Sequence, residues 1–279
     1  MEKTVETPQD GLMERGRRVN GYLLLLLLLL LGAIPVSIAM YLCRDQKTNR
    51  ETTKENFTLI AIGLGWFSDG CNGVPFPIQY ELIGEPSSTY FSGARGTGRP
   101  LCSWRVSLIP AFESWHGQWD RSQPWNSPAN EEVSREFYKF FSYDTSGTHW
   151  NDPSFVRETN ALAITGPGTA FGDGVEHPKR LTEIPQSTVL VVEVRSSGIH
   201  WMEPGDFDIR TMPETINAPD GKGISSIFAG GFHVIFADGN AWFLSDKIPF
   251  ATLRSFFTIE EAGKHDREKE LGPYALYRN

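Results

Sequence analysis

The chain has 279 residues, 40% hydrophobic and 12% aromatic, with 26 Lys and Arg against 34 Asp and Glu, a formal charge of −8. That length and apolar content argue for an ordered globular body with a sizeable core, as one large domain or two small ones. The acidic balance argues against a nucleic-acid partner, because binding phosphates needs a basic face.

Residues 1–18 are polar and of mixed charge, and read as a short solvent-exposed tail. From Val19 to Cys43 the chain is almost wholly apolar, with an unbroken Leu run from Leu23 to Leu31. About 22 residues rising roughly 1.5 Å each span a hydrocarbon core of about 30 Å, so 19–43 reads as a transmembrane helix. Gly32 and Pro35 are tolerated in such helices. A cleaved signal peptide is the competing reading, because Ser37-Ile-Ala39 is a small-x-small pattern that a signal peptidase accepts. The apolar run continues to Leu42, which favours a retained anchor. Charge does not set the orientation: Lys3, Arg15, Arg17 and Arg18 on one side are matched by Arg44, Lys47, Arg50 and Lys54 on the other.

Residues 44–77 read as a stem helix and its end, polar from Asp45 to Asn56 and apolar from Phe57 to Phe67. Gly63 and Gly65 each weaken that helix by about 1 kcal/mol relative to Ala unless close packing compensates. Gly73-Val-Pro-Phe-Pro77 ends it, since neither Pro continues the backbone hydrogen bonding. The remaining globular domain is expected over 78–262. It opens with a turn-rich connector at 78–99 holding a strand near Tyr80–Ile83. Ser103–Phe112 fits helix or strand equally well, and Glu131–Phe141 fits a helix. Residues 142–160 look loop-like. Ala161–Thr165 and Thr188–Val194 read as strands, and 200–223 as an irregular excursion. Val234–Ala237 and Ala241–Leu244, split by Asp238-Gly239-Asn240, read as a hairpin of strands covered on both faces. Residues 263–279 look like a polar C-terminal tail.

Four blocks in order carry a family resemblance. They are Pro100-Leu-Cys-Ser-Trp104-Arg105-Val-Ser-Leu-Ile-Pro-Ala-Phe-Glu113, Gln123-Pro124-Trp125-Asn-Ser-Pro-Ala-Asn130, Gly166-Pro-Gly168-Thr-Ala-Phe171 with Ser187–Glu193, and Phe236-Ala-Asp238-Gly239-Asn-Ala-Trp-Phe-Leu-Ser-Asp246. As an ordered series over roughly 56–262 they resemble the planctomycete domain of unknown function 1559 family, a set of pilin-like, membrane-anchored proteins. The resemblance implies a stem helix packed on the sheet and a body facing away from the cytoplasm. It also implies calcium in an acidic loop of some assemblies. Two departures stand out. Family members usually carry a His ten residues before the hairpin Asp, where this chain has Phe228. Pilin-like members also carry a Glu five residues into the mature helix, where this chain has Asn20-Gly-Tyr followed by Leu and no Glu.

Signals of chemistry are sparse. The chain holds three Cys; Cys43 ends the apolar segment, so only Cys71 and Cys102 are candidates to pair, and two small half-buried thiols are the plainer reading. The six His show no metal-ligand spacing, and no Gly-x-Ser-x-Gly elbow is present, although a triad can assemble from distant residues. His233 reads as a half-buried packing residue. Gly166–Gly174 lacks the Lys-Ser/Thr of a phosphate loop and reads as a surface turn. Asp206, Asp208 and Asp238, with Glu203, lie in loop-like stretches and are candidate Ca²⁺ ligands if the fold gathers them; a solvated acidic loop is the alternative. Trp104, Trp115, Trp119, Trp125, Trp150 and Trp201 fall mostly in connectors, where they form a binding surface or fold down to cap the sheet.

Together these readings predict a single-pass α+β protein of the inner (cytoplasmic) membrane with its body outside the cytoplasm. A transmembrane helix runs into a stem helix packed on an antiparallel sheet. The expected role is that of a non-catalytic, pseudopilin-like structural or assembly component of the envelope, with no cofactor. Its partners are the membrane and either further copies or other envelope proteins. An anchored binding module using the Trp-bearing loops is the second expectation, and a hydrolase the third. Trp104, Arg105, Pro124, Trp125, Gly166, Gly168, Asp238 and Gly239 are expected to be structural motif residues.

Overall fold

The structure, a computed structural model, describes residues 50–80, 99–112, 119–120, 122–136, 140–143, 157–173 and 179–278. The 19–43 segment lies outside them, and among the described residues no helix is long and apolar enough to cross a membrane.

Helix α1 runs over 50–71. Phe57, Ile60, Ala61, Leu64 and Phe67 recur at the spacing that puts them on one side, and all five are buried. Each large one contributes about 1.5–3 kcal/mol by leaving water. The helix stops where expected. Asn72 takes a positive φ of 61° and the Gly73 amide donates back to the Ser68 carbonyl, the six-residue closure that ends many helices.

The central sheet has six strands in the order β5-β3-β4-β6-β7-β8. Strand β3 is Ala161–Thr165, β4 Val189–Glu193, β5 Phe207–Asp208, β6 Gly231–Phe236, β7 Ala241–Ser245 and β8 Ala275–Arg278. Four pairings are antiparallel, but β5 joins β3 in parallel, so the sheet is mixed rather than wholly antiparallel. The irregular 200–223 stretch brings this about: it crosses back to the β3 edge and lends two residues to the ladder. A separate two-stranded sheet pairs β1 (Ile78–Tyr80) with β2 (Pro100–Ser103). Ser103 then caps a short helix α2 (Trp104–Ser107), and α3 (Ile109–Phe112) follows, so the ambiguous Ser103–Phe112 segment is the end of a strand and two helical turns.

Side chains alternate across the sheet as strand geometry requires. On one face Ala161, Ala163, Ile235, Ala237 and Ala241 join the cluster that holds α1, and the small residues let the helix sit close. On the other face Phe232, Val234, Phe236, Trp242 and Leu244 meet Leu253, Phe256 and Phe257. These come from or follow α5 (Phe250–Arg254), with α6 (Ile259–Ala262) beyond. Both hairpin strands are therefore buried along their whole length, as their unbroken apolar runs predict. α4 (Glu131–Glu136) follows a 3₁₀ turn at Pro128–Asn130, within the helix expected at 131–141.

Two details differ from expectation. The hairpin turn centres on Ala237 and Asp238, with the Gly239 amide donating to the Phe236 carbonyl at 3.0 Å. Only Gly239 then takes a positive φ, 81°, the arrangement of a type I turn closed by a left-handed Gly. The supposed polar tail is also structured. α7 (Arg267–Glu270) leads into β8, which pairs with β7 through Tyr277 opposite Phe243. Its alternating half-buried and exposed residues mark an edge strand, short enough at four residues to escape a sequence reading.

Candidate functional site

The densest buried polar cluster lies between α1 and the sheet. Glu193 ends β4 and His233 sits in β6; both are fully buried. Glu193 Oε2 accepts from the His233 backbone amide at 2.7 Å and is 2.7 Å from His233 Nδ1. Glu193 Oε1 accepts from Ser226 Oγ at 2.8 Å and from the Tyr143 hydroxyl. His233 Nε2 contacts the Tyr277 hydroxyl of β8. Phe57 of α1 stacks on the imidazole at 5.0 Å, and Phe243 meets it edge-on at 4.8 Å. Arg50 lies over Phe243 and Tyr277, and Lys54 over Tyr277.

This arrangement orients a His with a carboxylate, as catalytic triads do, but it is closed. Every polar atom named here is spent on another protein group, and a phenol occupies the ring nitrogen that would face a substrate. Burial, and then the charge of Glu193, push the Tyr143 hydroxyl well above its ordinary pKa. Burial likewise raises Tyr277. Both phenols therefore stay protonated as donors. The cluster ties β4, β6, β8 and α1 into one body. Phe228 packs against its rim, edge-on to Tyr143 at 5.8 Å and to His233 at 6.4 Å. Sequence reasoning placed His233 as half-buried and missed its partners. The signal was available: Glu193 and His233 are lone ionisable residues inside unbroken apolar strands, and a buried ionisable group demands a partner.

A second buried pair explains the Trp104-Arg105 motif. Arg105 is fully buried and donates to Asp206 Oδ1 at 2.7 Å, to the Ala161 carbonyl and to Ser103 Oγ. The same Oδ1 accepts from Trp104 Nε1 at 3.0 Å and from the Ala163 amide at 2.8 Å. Burial pushes the Asp206 carboxyl up, against the pull of these donors. The ion pair pins α2 to the edge of β3.

The four candidate calcium ligands do not come together; Glu203 accepts from the His200 amide at 3.2 Å. Asp206 pairs with Arg105, Asp208 with Arg210 and Asp238 with Arg267. Among the described residues no three His, Cys, Asp or Glu side chains form a metal-sized group.

The remaining motif residues hold loops. Trp125 donates its amide to the Leu101 carbonyl at 2.7 Å, after Pro124, whose carbonyl accepts from Asn130 Nδ2. Gly166 takes a φ of 115°, and a Cβ there would lie 2.9 Å from Ile209 Cγ1. The Gly168 carbonyl accepts from the first amide of α6. Of the six Trp residues, Trp104 and Trp201 are in the core, and Trp119 and Trp125 pack against it. Trp115 and Trp150 lie outside the described residues. Cys71 and Cys102 are not joined by a disulfide, and Cys102 donates to Gln79 Oε1.

One Ser–His contact deserves testing as a nucleophile–base pair: Ser134 Oγ lies 3.0 Å from His200 Nε2 beneath the stacked ring of Trp125. The Met202 amide donates to His200 Nδ1 at 3.2 Å, which places the ring proton on Nε2. His200 then donates to Ser134 and cannot take its proton. Burial, helped by the nearby Arg157 charge, lowers its pKa to about 4, so it is neutral at ordinary pH.

Fold and site together define a mixed-sheet α+β body with buried polar groups bonded to one another. No protein-family model, curated protein or solved structure matches the chain.

Proposed function

We propose that the chain is a non-catalytic, membrane-anchored, pseudopilin-like structural or assembly component of the cell envelope. The observation that carries this reading is the seating of α1. It follows the apolar 19–43 segment in sequence, and its inner face is built into the sheet by Phe57, Ile60, Leu64 and Phe67. A helix seated on the sheet in this way is what the resemblance to pilin-like proteins implies for the stem. The closed state of the Glu193–His233 cluster and the proton placement at His200 both weigh against a hydrolase. The core positions of Trp104 and Trp201 weigh against a binding surface built from the Trp residues. The experiment is alkaline extraction of cell membranes followed by intact-mass measurement. The reading expects the full chain, less at most its initiating Met, in the membrane pellet. A species beginning at Met40 in the soluble fraction would remove the anchor and the proposal with it.

A further inference from the structure

The outer face of α1 carries Leu59, Ile62 and Trp66, which are 37%, 59% and 50% exposed. Their spacing of three and four residues is the seam by which one helix packs along another, not a pattern that suits a flat sheet or a loop. Gly65 lies beside this seam, and a Cβ built there would meet nothing within 4 Å. The close packing that would compensate a mid-helix Gly is therefore missing inside the molecule. On the outside, a missing side chain lets another helix approach closely.

Charge selects the partner. Glu55 precedes Ile62 by two turns and Asp69 follows it by two turns, both exposed, with Glu51 one turn further out. Two copies of this seam packed in parallel would set Glu55 against Glu55; packed antiparallel about Ile62, they would set Glu55 against Asp69. Like charges meet either way, which disfavours self-pairing. We propose that the α1 seam docks a helix of a different protein, one with an apolar stripe at the same spacing and Lys or Arg at both ends. This names a partner class for the assembly role proposed above and rests on that reading.

The test uses the full-length chain in its native membranes, with the photo-cross-linking residue p-benzoylphenylalanine placed at position 62 or, for comparison, at the exposed Ile227. Adduct sites are mapped by mass spectrometry. The expected result is adducts from position 62 to a helical segment of another protein with an apolar seam and basic flanks. Trp66→Ala should lower their yield about tenfold, as loss of an anchoring Trp does. Gly65→Leu should lower it similarly while raising the thermal midpoint, because the helix gains propensity and meets no clash. Adducts to the α1 of a second copy, to a non-helical segment, or with undiminished yield in Gly65→Leu would overturn the seam. Adducts from position 227 alone would also overturn it and leave the assembly reading standing; none from either position would overturn both.

Discussion

One oxygen of Glu193 accepts from both the backbone amide and the ring Nδ1 of His233, each at 2.7 Å. The pair staples two adjacent strands from the inside, beneath the first turns of α1. Glu193→Gln puts an amide nitrogen among four donors and leaves at least one of them unsatisfied. Losing a buried charged acceptor in this way should destabilise the protein by about 2–4 kcal/mol. Urea unfolding followed by tryptophan fluorescence measures it; a loss under about 0.5 kcal/mol would show that the cluster is not a keystone.

Tyr277 closes the same network from β8. Tyr277→Phe keeps the ring stacked on Phe243, whose centroid is 5.2 Å away, and removes only the hydroxyl. The expected loss is about 1–2 kcal/mol near neutral pH. Alkaline behaviour adds a sign. Folding raises the pKa of this phenol, so the folded state holds its proton where the unfolded chain has released it. Its stabilising contribution is complete below about pH 10 and declines as pH rises above it. Between pH 9 and pH 11.5, by thermal melting, the variant should therefore lose less stability than the parent; equal slopes would contradict the assignment.

Folding depresses His200 to about 4, principally by burial. Between the ordinary His value of about 6.5 and about 4, the unfolded chain binds a proton that the folded protein refuses. Stability should therefore fall as pH drops through that window, and His200→Gln should flatten the slope. A His200 imidazole resonance, assigned by its loss in His200→Gln, that titrated near 6.5 by NMR would show that the ring is not buried against Trp125.

Gly239 is a cleaner test of backbone conformation than Gly166. A Cβ at Gly239 meets nothing within 4 Å, so Gly239→Val reports only the strain of a β-branched residue at a φ of 81°. That strain is about 1–3 kcal/mol. An unchanged melting temperature would show that the turn relaxes freely.

The parts of the fold that sequence made legible are those with strong local signals. The Asp238-Gly239 turn, the β-branched run at Val189–Val192 and the Pro-rich stop after α1 are each set by a few adjacent residues. Long-range relationships were not legible. Asp206 looked like a calcium ligand because its partner, Arg105, is about a hundred positions away in the chain and only the fold brings them together. β8 looked like a tail because it is a short run of four residues after a charged stretch, and its pairing partner supplies the order. His233 looked incidental because Glu193 and Tyr277 lie on two other strands.

The central claim is that the chain works by assembling with other envelope proteins from a membrane anchor. Chemical cross-linking of intact cells, followed by fractionation and sizing of the captured chain, tests it most directly. The account predicts species larger than the monomer in the membrane fraction. A chain that stays monomeric and soluble under conditions that cross-link other envelope complexes would contradict it.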